Sequence, residues 1–154
     1  MSQRLNLYAA APEMLKPMMD LEAAVAASGL EHSLLELIKT RVSQINGCAF
    51  CIHMHTRDAR KAGESEERLY LLSAWRESSL YTPRERAALT WAESLTLVAQ
   101  TGAPDTDYEA MRAEFDEAEA LKLTIAIGAI NIWNRLAVGF RSQHPKVWKL
   151  EAAA

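Results

Sequence analysis

ELIKTRVSQINGCAFCIHMH, from Glu36 to His55, sets the periodicity of the chain and carries both of its cysteines. With Leu34 just before it, Ile38, Val42 and Ile45 recur at intervals of four, four and three, the apolar stripe of an amphipathic helix. Asn46-Gly47 interrupts that helix, and helical character resumes from Cys48 to about Ala62, where Gly63 ends it. On this second helix Cys48, Cys51 and His55 share one narrow sector, continued by Ala59 and Ala62, while Phe50 and His53 point elsewhere.

Towards the N-terminus, residues 1–16 read as a lead-in, irregular from Tyr8 to Pro12. Pro17 then suits the first turn of a helix carrying Met18, Leu21 and Val25, and Ser28-Gly29 stops it. Towards the C-terminus, a short amphipathic segment holds Leu69, Leu72 and Trp75. Thr82-Pro83-Arg84-Glu85 then combines a cap, a first-position proline and a capping-box glutamate. The helix so begun runs through Leu89, Trp91, Leu95 and Val98 to Gly102-Ala103-Pro104. Tyr108, Met111 and Phe115 mark a further short helix, and Asp116 with Glu119 repeats the capping-box spacing. In the last long helix Leu121, Leu123, Ile125, Ile127, Ile130, Ile132, Trp133 and Leu136 lie on nearly every side. Such a helix must be covered all round, so part of it is predicted to lie in a subunit interface. No segment alternates in the manner of a strand. The expected fold class is all-α, with one domain spanning residues 1–154 and a tail from 145 to 154.

A chain of 154 residues can bury one sizeable core, and 49% hydrophobic with 24% charged residues is a globular composition. A net charge of -3 without any Lys/Arg block gives no reason to expect nucleic acid. The opening MSQRLNLYAAAPEMLK lacks the order of a secretory signal, and no window reads as a membrane span, so no membrane partner and a cytoplasmic location are expected. There a lone CxxC is redox-active or metal-binding more often than it is a structural staple.

Two thiols this close can cycle between dithiol and disulfide, hold a metal, or fill space. His55, one turn from Cys51, can take that thiol's proton, whereas Cys48 at the helix start gains from the unpaired N–H groups there. A thiolate attacks a peroxide oxygen, becomes a sulfenic acid, and condenses with the second thiol. A zinc site built on Cys48, Cys51 and either His53 or His55 would need a distant fourth ligand. Glu36 falls opposite the apolar stripe on a strip with Lys39, Thr40 and Ser43, the place of a solvated carboxylate. His32, His53 and His144 are placed by no motif.

Glu36, eleven residues, Cys48-Ala49-Phe50-Cys51, three residues and His55 resemble the signature of the alkylhydroperoxidase D family, in the carboxymuconolactone decarboxylase-like superfamily. Ser43-Gln44-Ile45-Asn46-Gly47, Ala59-Arg60-Lys61-Ala62-Gly63-Glu64, Trp75-Arg76-Glu77, Glu85-Arg86-Ala87-Ala88-Leu89 and Asn131-Ile132-Trp133-Asn134-Arg135 extend the resemblance from about Leu30 to Leu136. It implies an all-helical fold assembling into a homo-oligomer, trimer or hexamer, and an antioxidant peroxidase with no metal and no organic cofactor. It further implies Cys51 as peroxidatic thiol, Cys48 as resolving thiol, and Glu36 and His55 as a proton relay through water, which requires Glu36 to be sheltered near the thiols. Some members carry a further histidine just before the second cysteine, where this chain has Phe50. The expected activity is reduction of hydrogen peroxide or alkyl hydroperoxides, reset by an external dithiol such as a lipoyl group or a thioredoxin-like protein. The same residues would serve a dithiol partner of a peroxiredoxin. A redox sensor and a carboxymuconolactone-type decarboxylase are the alternatives, the latter disfavoured because carbanion chemistry has no use for two thiols at disulfide spacing.

Overall fold

A computed structural model describes residues 2–145, and among them every regular element is helical. In order these are α1 (Leu7–Ala10), α2 (Pro12–Ala26), α3 (His32–Ile45), α4 (Ala49–Lys61) and α5 (Glu66–Leu71), which runs into a 3-10 helix (Leu72–Glu77). There follow α6 (Pro83–Thr96), α7 (Val98–Thr101), α8 (Asp105–Arg112) and α9 (Glu117–Phe140). The all-α expectation holds, and both capping boxes form, at Thr82/Glu85 and at Asp116/Glu119.

α3 is the axis of the fold, packed against α4, α6, α9 and the 3-10 helix. Leu34, Leu35, Ile38 and Val42 enter a large core with Ala88, Leu123, Ile127 and Ile130. On another side Leu37 joins a second cluster with Ala59, Leu69, Leu72, Trp75 and Leu89. Each such leucine removed from water stabilises the fold by about 1.5–3 kcal/mol. Glu93 of α6 fastens the axis further, accepting from Arg41 Nε of α3 (2.7 Å), Trp75 Nε1 (2.8 Å) and Arg76 Nη2 (2.7 Å). Burial pushes its pKa up, but the three donors outweigh that and hold the carboxyl below its ordinary range.

With neighbours on so many sides, α3 has no solvated face. Glu36, Lys39, Thr40 and Ser43 are all buried, at 6%, 7%, 0% and 0% exposure, which overturns the expected exposed strip. Periodicity finds the most apolar face of a helix, but it does not detect that other elements also cover the opposite one. Lys39 Nζ donates to a tertiary partner, Glu22 Oε2, at 2.7 Å, Ser43 Oγ donates one turn back to the Lys39 carbonyl at 2.7 Å, and the buried Thr40 hydroxyl has no hydrogen-bond partner among the described residues.

The lead-in differs as well. α1 forms within it, and α2 starts at Pro12, leaving Pro17 inside the helix. Pro12 meets the same first-position preference that Pro17 suggested, and Pro17 forfeits only one backbone bond near the helix start.

α9 lines the large core with Leu123, Ala126, Ile127 and Ile130, yet leaves Leu121, Ile125 and Ile132 exposed at 62%, 40% and 42%. One side is therefore covered by the fold and the other is not. By length and composition this helix, 24 residues with a mean hydropathy of 1.3 in its most apolar window, is long and apolar enough to cross a membrane, a test that the core helix of a folded domain also passes. Of the predicted tail, residues 146–154 lie outside the described residues.

Candidate active site

The turn between α3 and α4 is built to deliver a sulfur. Gly47 adopts the left-handed conformation (φ 66°), the Gly47 N–H reaches the Gln44 carbonyl, and the Cys48 N–H reaches the Ser43 carbonyl at 2.9 Å, a helix-closing motif that favours glycine at this position. Cys48 thereby becomes the N-cap of α4 rather than a residue within it, and its Sγ accepts the Cys51 N–H at 3.3 Å. The two Cα atoms are 5.4 Å apart and the sulfurs are joined as a disulfide, both residues being almost wholly buried.

Glu36 and His55, nineteen residues apart, meet in the interior: His55 Nδ1 lies 2.9 Å from Glu36 Oε2, and both side chains are buried. An ionised carboxylate only accepts, so Nδ1 carries the proton and Nε2 is left as the basic nitrogen. The shelter that the family resemblance demands of Glu36 is present. Among the described residues no group of three or more His, Cys, Asp or Glu side chains is arranged to hold a metal. His53 is turned towards His144, the two rings stacked at 5.3 Å, so it does not join the thiols.

A polar clamp that sequence reasoning assigned no role secures the turn. Asn46 Nδ2 donates to Asn131 Oδ1 (3.0 Å) and Asn134 Oδ1 (2.9 Å) of α9, while Asn134 Nδ2 donates to Ser43 Oγ (3.0 Å). Asn131 also donates to Thr96 Oγ1 and receives Arg135 Nη1 at 2.9 Å. The signal was visible as two asparagines three apart in the mostly apolar second half of α9.

A cavity of about 350 Å³ opens beside the disulfide. Cys51 and His55 form part of its wall, together with Phe50 and Met54 of α4, and Cys48 does not line it. Ile130, Trp133 and Ala137 of α9 stand on another side, Gln3, Asn6, Leu7 and Tyr8 on a third, and Glu22 brings the carboxylate held by Lys39. The lining is mostly apolar, with polar groups from Gln3, Asn6, Glu22, His55, Ser142 and Gln143, as is usual for a small-molecule site.

Comparison with known proteins shows what the chain resembles in sequence and fold. The sequence model of the carboxymuconolactone decarboxylase family matches residues 12–94, just over half of the chain. Over 138 residues the chain is 49% identical to the uncharacterised protein YdfG of Bacillus subtilis (strain 168), covering 90% of this chain and 94% of that protein. Among solved structures it resembles a protein of unknown function from Agrobacterium tumefaciens that bears the provisional designation antioxidant defence protein AhpD. The TM-score there is 0.92, with 54% identity over 94% of this chain and 99% of the other. An uncharacterised peroxidase-related protein from Silicibacter sp. TM1040 shares the fold, with a TM-score of 0.79 at 23% identity over 90% of this chain and 74% of that one.

Proposed function

The chain belongs to the carboxymuconolactone decarboxylase family and has its alkylhydroperoxidase D-like form, and from that premise we propose that it is a thiol-dependent peroxidase working through a Cys48/Cys51 dithiol–disulfide cycle. One observation carries the reading: of the two joined cysteines Cys51 lines the cavity and Cys48 does not, and His55, which lines it as well, has its Nδ1 held by a buried carboxylate.

In the reduced protein His55 Nε2 takes the Cys51 proton while Glu36 steadies Nδ1 and the positive charge that forms. The thiolate attacks the terminal oxygen of the hydroperoxide. The O–O bond breaks, the leaving alkoxide recovers the proton from His55 as an alcohol, and Cys51 becomes a sulfenic acid. The Cys48 thiol then attacks Cys51 sulfur, forming the disulfide and releasing water. A dithiol resets the pair, so one hydroperoxide and one dithiol yield an alcohol, water and one new disulfide. The cavity supports Cys51 as the thiol that meets peroxide and Cys48 as the resolving one, since Cys48 is turned away into the helix cap.

Both sulfurs are buried, at 1% and 2% exposure, which favours a reductant on a slender arm, such as a lipoyl group, over the flat surface of a thioredoxin-like protein or a peroxiredoxin. The uncovered strip of α9, Leu121, Ile125 and Ile132, supports assembly into a homo-oligomer through that helix. The test is a thiol count on reduced protein before and after one equivalent of hydroperoxide. Wild type loses two thiols, Cys48→Ser retains a sulfenic acid that a dimedone probe labels, and Cys51→Ser consumes no peroxide. Undiminished turnover in Cys51→Ser refutes the assignment.

A further inference from the structure

The cavity is far larger than a bare peroxide requires. Two oxygen atoms need about the room of two waters, ~60 Å³, and a benzene fits a cavity of about 150 Å³. The remaining volume of this 350 Å³ site has walls of Leu7, Tyr8, Phe50, Met54, Ile130 and Trp133. Two of those residues come from a segment ahead of the family-matched region, which begins at residue 12. That segment is fixed by the end of α9: the Arg4 N–H donates to the Phe140 carbonyl at 3.0 Å, and Arg4 Nη1 donates to the Gly139 carbonyl at 3.0 Å. The last carbonyls of a helix lack intrahelical donors and carry its negative dipole end, so a guanidinium and an amide settle there. Asn6 then caps α1 by accepting the Tyr8 N–H at 3.1 Å, and Leu7, half-buried, and Tyr8, still 65% exposed, border the cavity.

We propose that residues 3–8, strapped over the end of α9, are the specificity wall of the thiol site, and that with Phe50 and Trp133 they select a hydroperoxide bearing a compact aryl or branched-alkyl body over hydrogen peroxide. This rests on the peroxidase reading above. A histidine at position 50 would place a polar ring at the mouth of this space, whereas Phe50 continues the apolar lining up to Cys51. Each buried methylene raises the second-order rate about fourfold. Cumene hydroperoxide, five carbons larger than tert-butyl hydroperoxide, should therefore oxidise the site at least about tenfold faster, with a ceiling near a thousandfold for complete burial.

The experiment uses pre-reduced full-length protein mixed anaerobically with hydrogen peroxide, tert-butyl hydroperoxide or cumene hydroperoxide, following thiol loss in a single turnover so that no reductant intervenes. Wild type should rank cumene, tert-butyl, then hydrogen peroxide. The double variant Leu7→Ser/Tyr8→Ser, and separately Arg4→Ser, should each lower the ratio of the cumene hydroperoxide rate to the hydrogen peroxide rate most of the way to one. Equal rates for the three oxidants in wild type, or an unchanged ranking in both variants, overturns the wall. Thiols that resist every hydroperoxide overturn the peroxidase reading itself and the wall with it.

Discussion

Asn46→Ala should loosen the turn that carries Cys48, and the structure sets the size of the effect. The substitution removes two hydrogen bonds, but its consequences at the two acceptors differ. Asn131 Oδ1 keeps a donor in Arg135 Nη1, whereas Asn134 Oδ1, on a residue 1% exposed, is left with none. One net hydrogen bond at about 0.5–1.5 kcal/mol and one stranded acceptor at about 1–3 kcal/mol give a loss of about 1.5–4.5 kcal/mol. For a chain of this length that lowers the melting temperature by about 3–18 °C. Urea titration of the oxidised and of the fully reduced protein checks the value in each state. Asn46→Asp should be worse still, because a carboxylate offers two carboxamide oxygens only repulsion. In the reduced variant, disulfide closure after a pulse of hydroperoxide should slow, since the resolving sulfur is less well aimed. A loss under 0.5 kcal/mol, or an aspartate that serves as well as asparagine, would refute the clamp.

Glu36→Gln retains the shape of the relay but cannot stabilise a protonated His55, so single-turnover oxidation by hydroperoxide should fall about 10²-fold or more, with little change in circular dichroism. The Glu93 carboxyl, depressed by its three donors, contributes stability that is present above the unfolded value of about 4.3 and is lost as pH falls through its lower folded value. Melting temperature measured from pH 7 to 3 should therefore drop more steeply for wild type than for Glu93→Gln. Paired Ile125→Lys and Ile132→Glu substitutions on the uncovered strip of α9 should convert an oligomer to a monomer in light scattering. A wild type already monomeric at micromolar concentration removes that surface from consideration. Leu37→Ala, at a fully buried position between α3 and the second core cluster, should cost about 2–5 kcal/mol by denaturant titration.

Features written in neighbouring residues were legible before the fold was known. The Leu34/Ile38/Val42 stripe, the Thr82/Glu85 and Asp116/Glu119 boxes and the Cys48–Cys51 spacing each depend on residues within a turn or two. What escaped is created by chain segments distant in sequence. Glu36 looked solvated because its own helix says nothing of α4, which brings His55 against it; only family resemblance anticipated the shelter. The Glu22–Lys39 pair, the asparagine clamp and the apolar cavity likewise join α2, α3, α4 and α9. Pro17 misplaced the start of α2 because two prolines five residues apart satisfy the same local preference, and local preference does not rank them.

A helix that begins on a sulfur has an end whose strength follows oxidation state. While the bridge is closed, the Cys51 amide leans on a neutral divalent atom. Opening it from the cavity side, by attack on Cys51, expels Cys48 as an anion at the positive pole of α4, where that same amide and the dipole welcome it. Electron loading and tightening of the first turn of α4 are therefore one event seen from two sides, and anything that frays this turn makes the bridge harder to open.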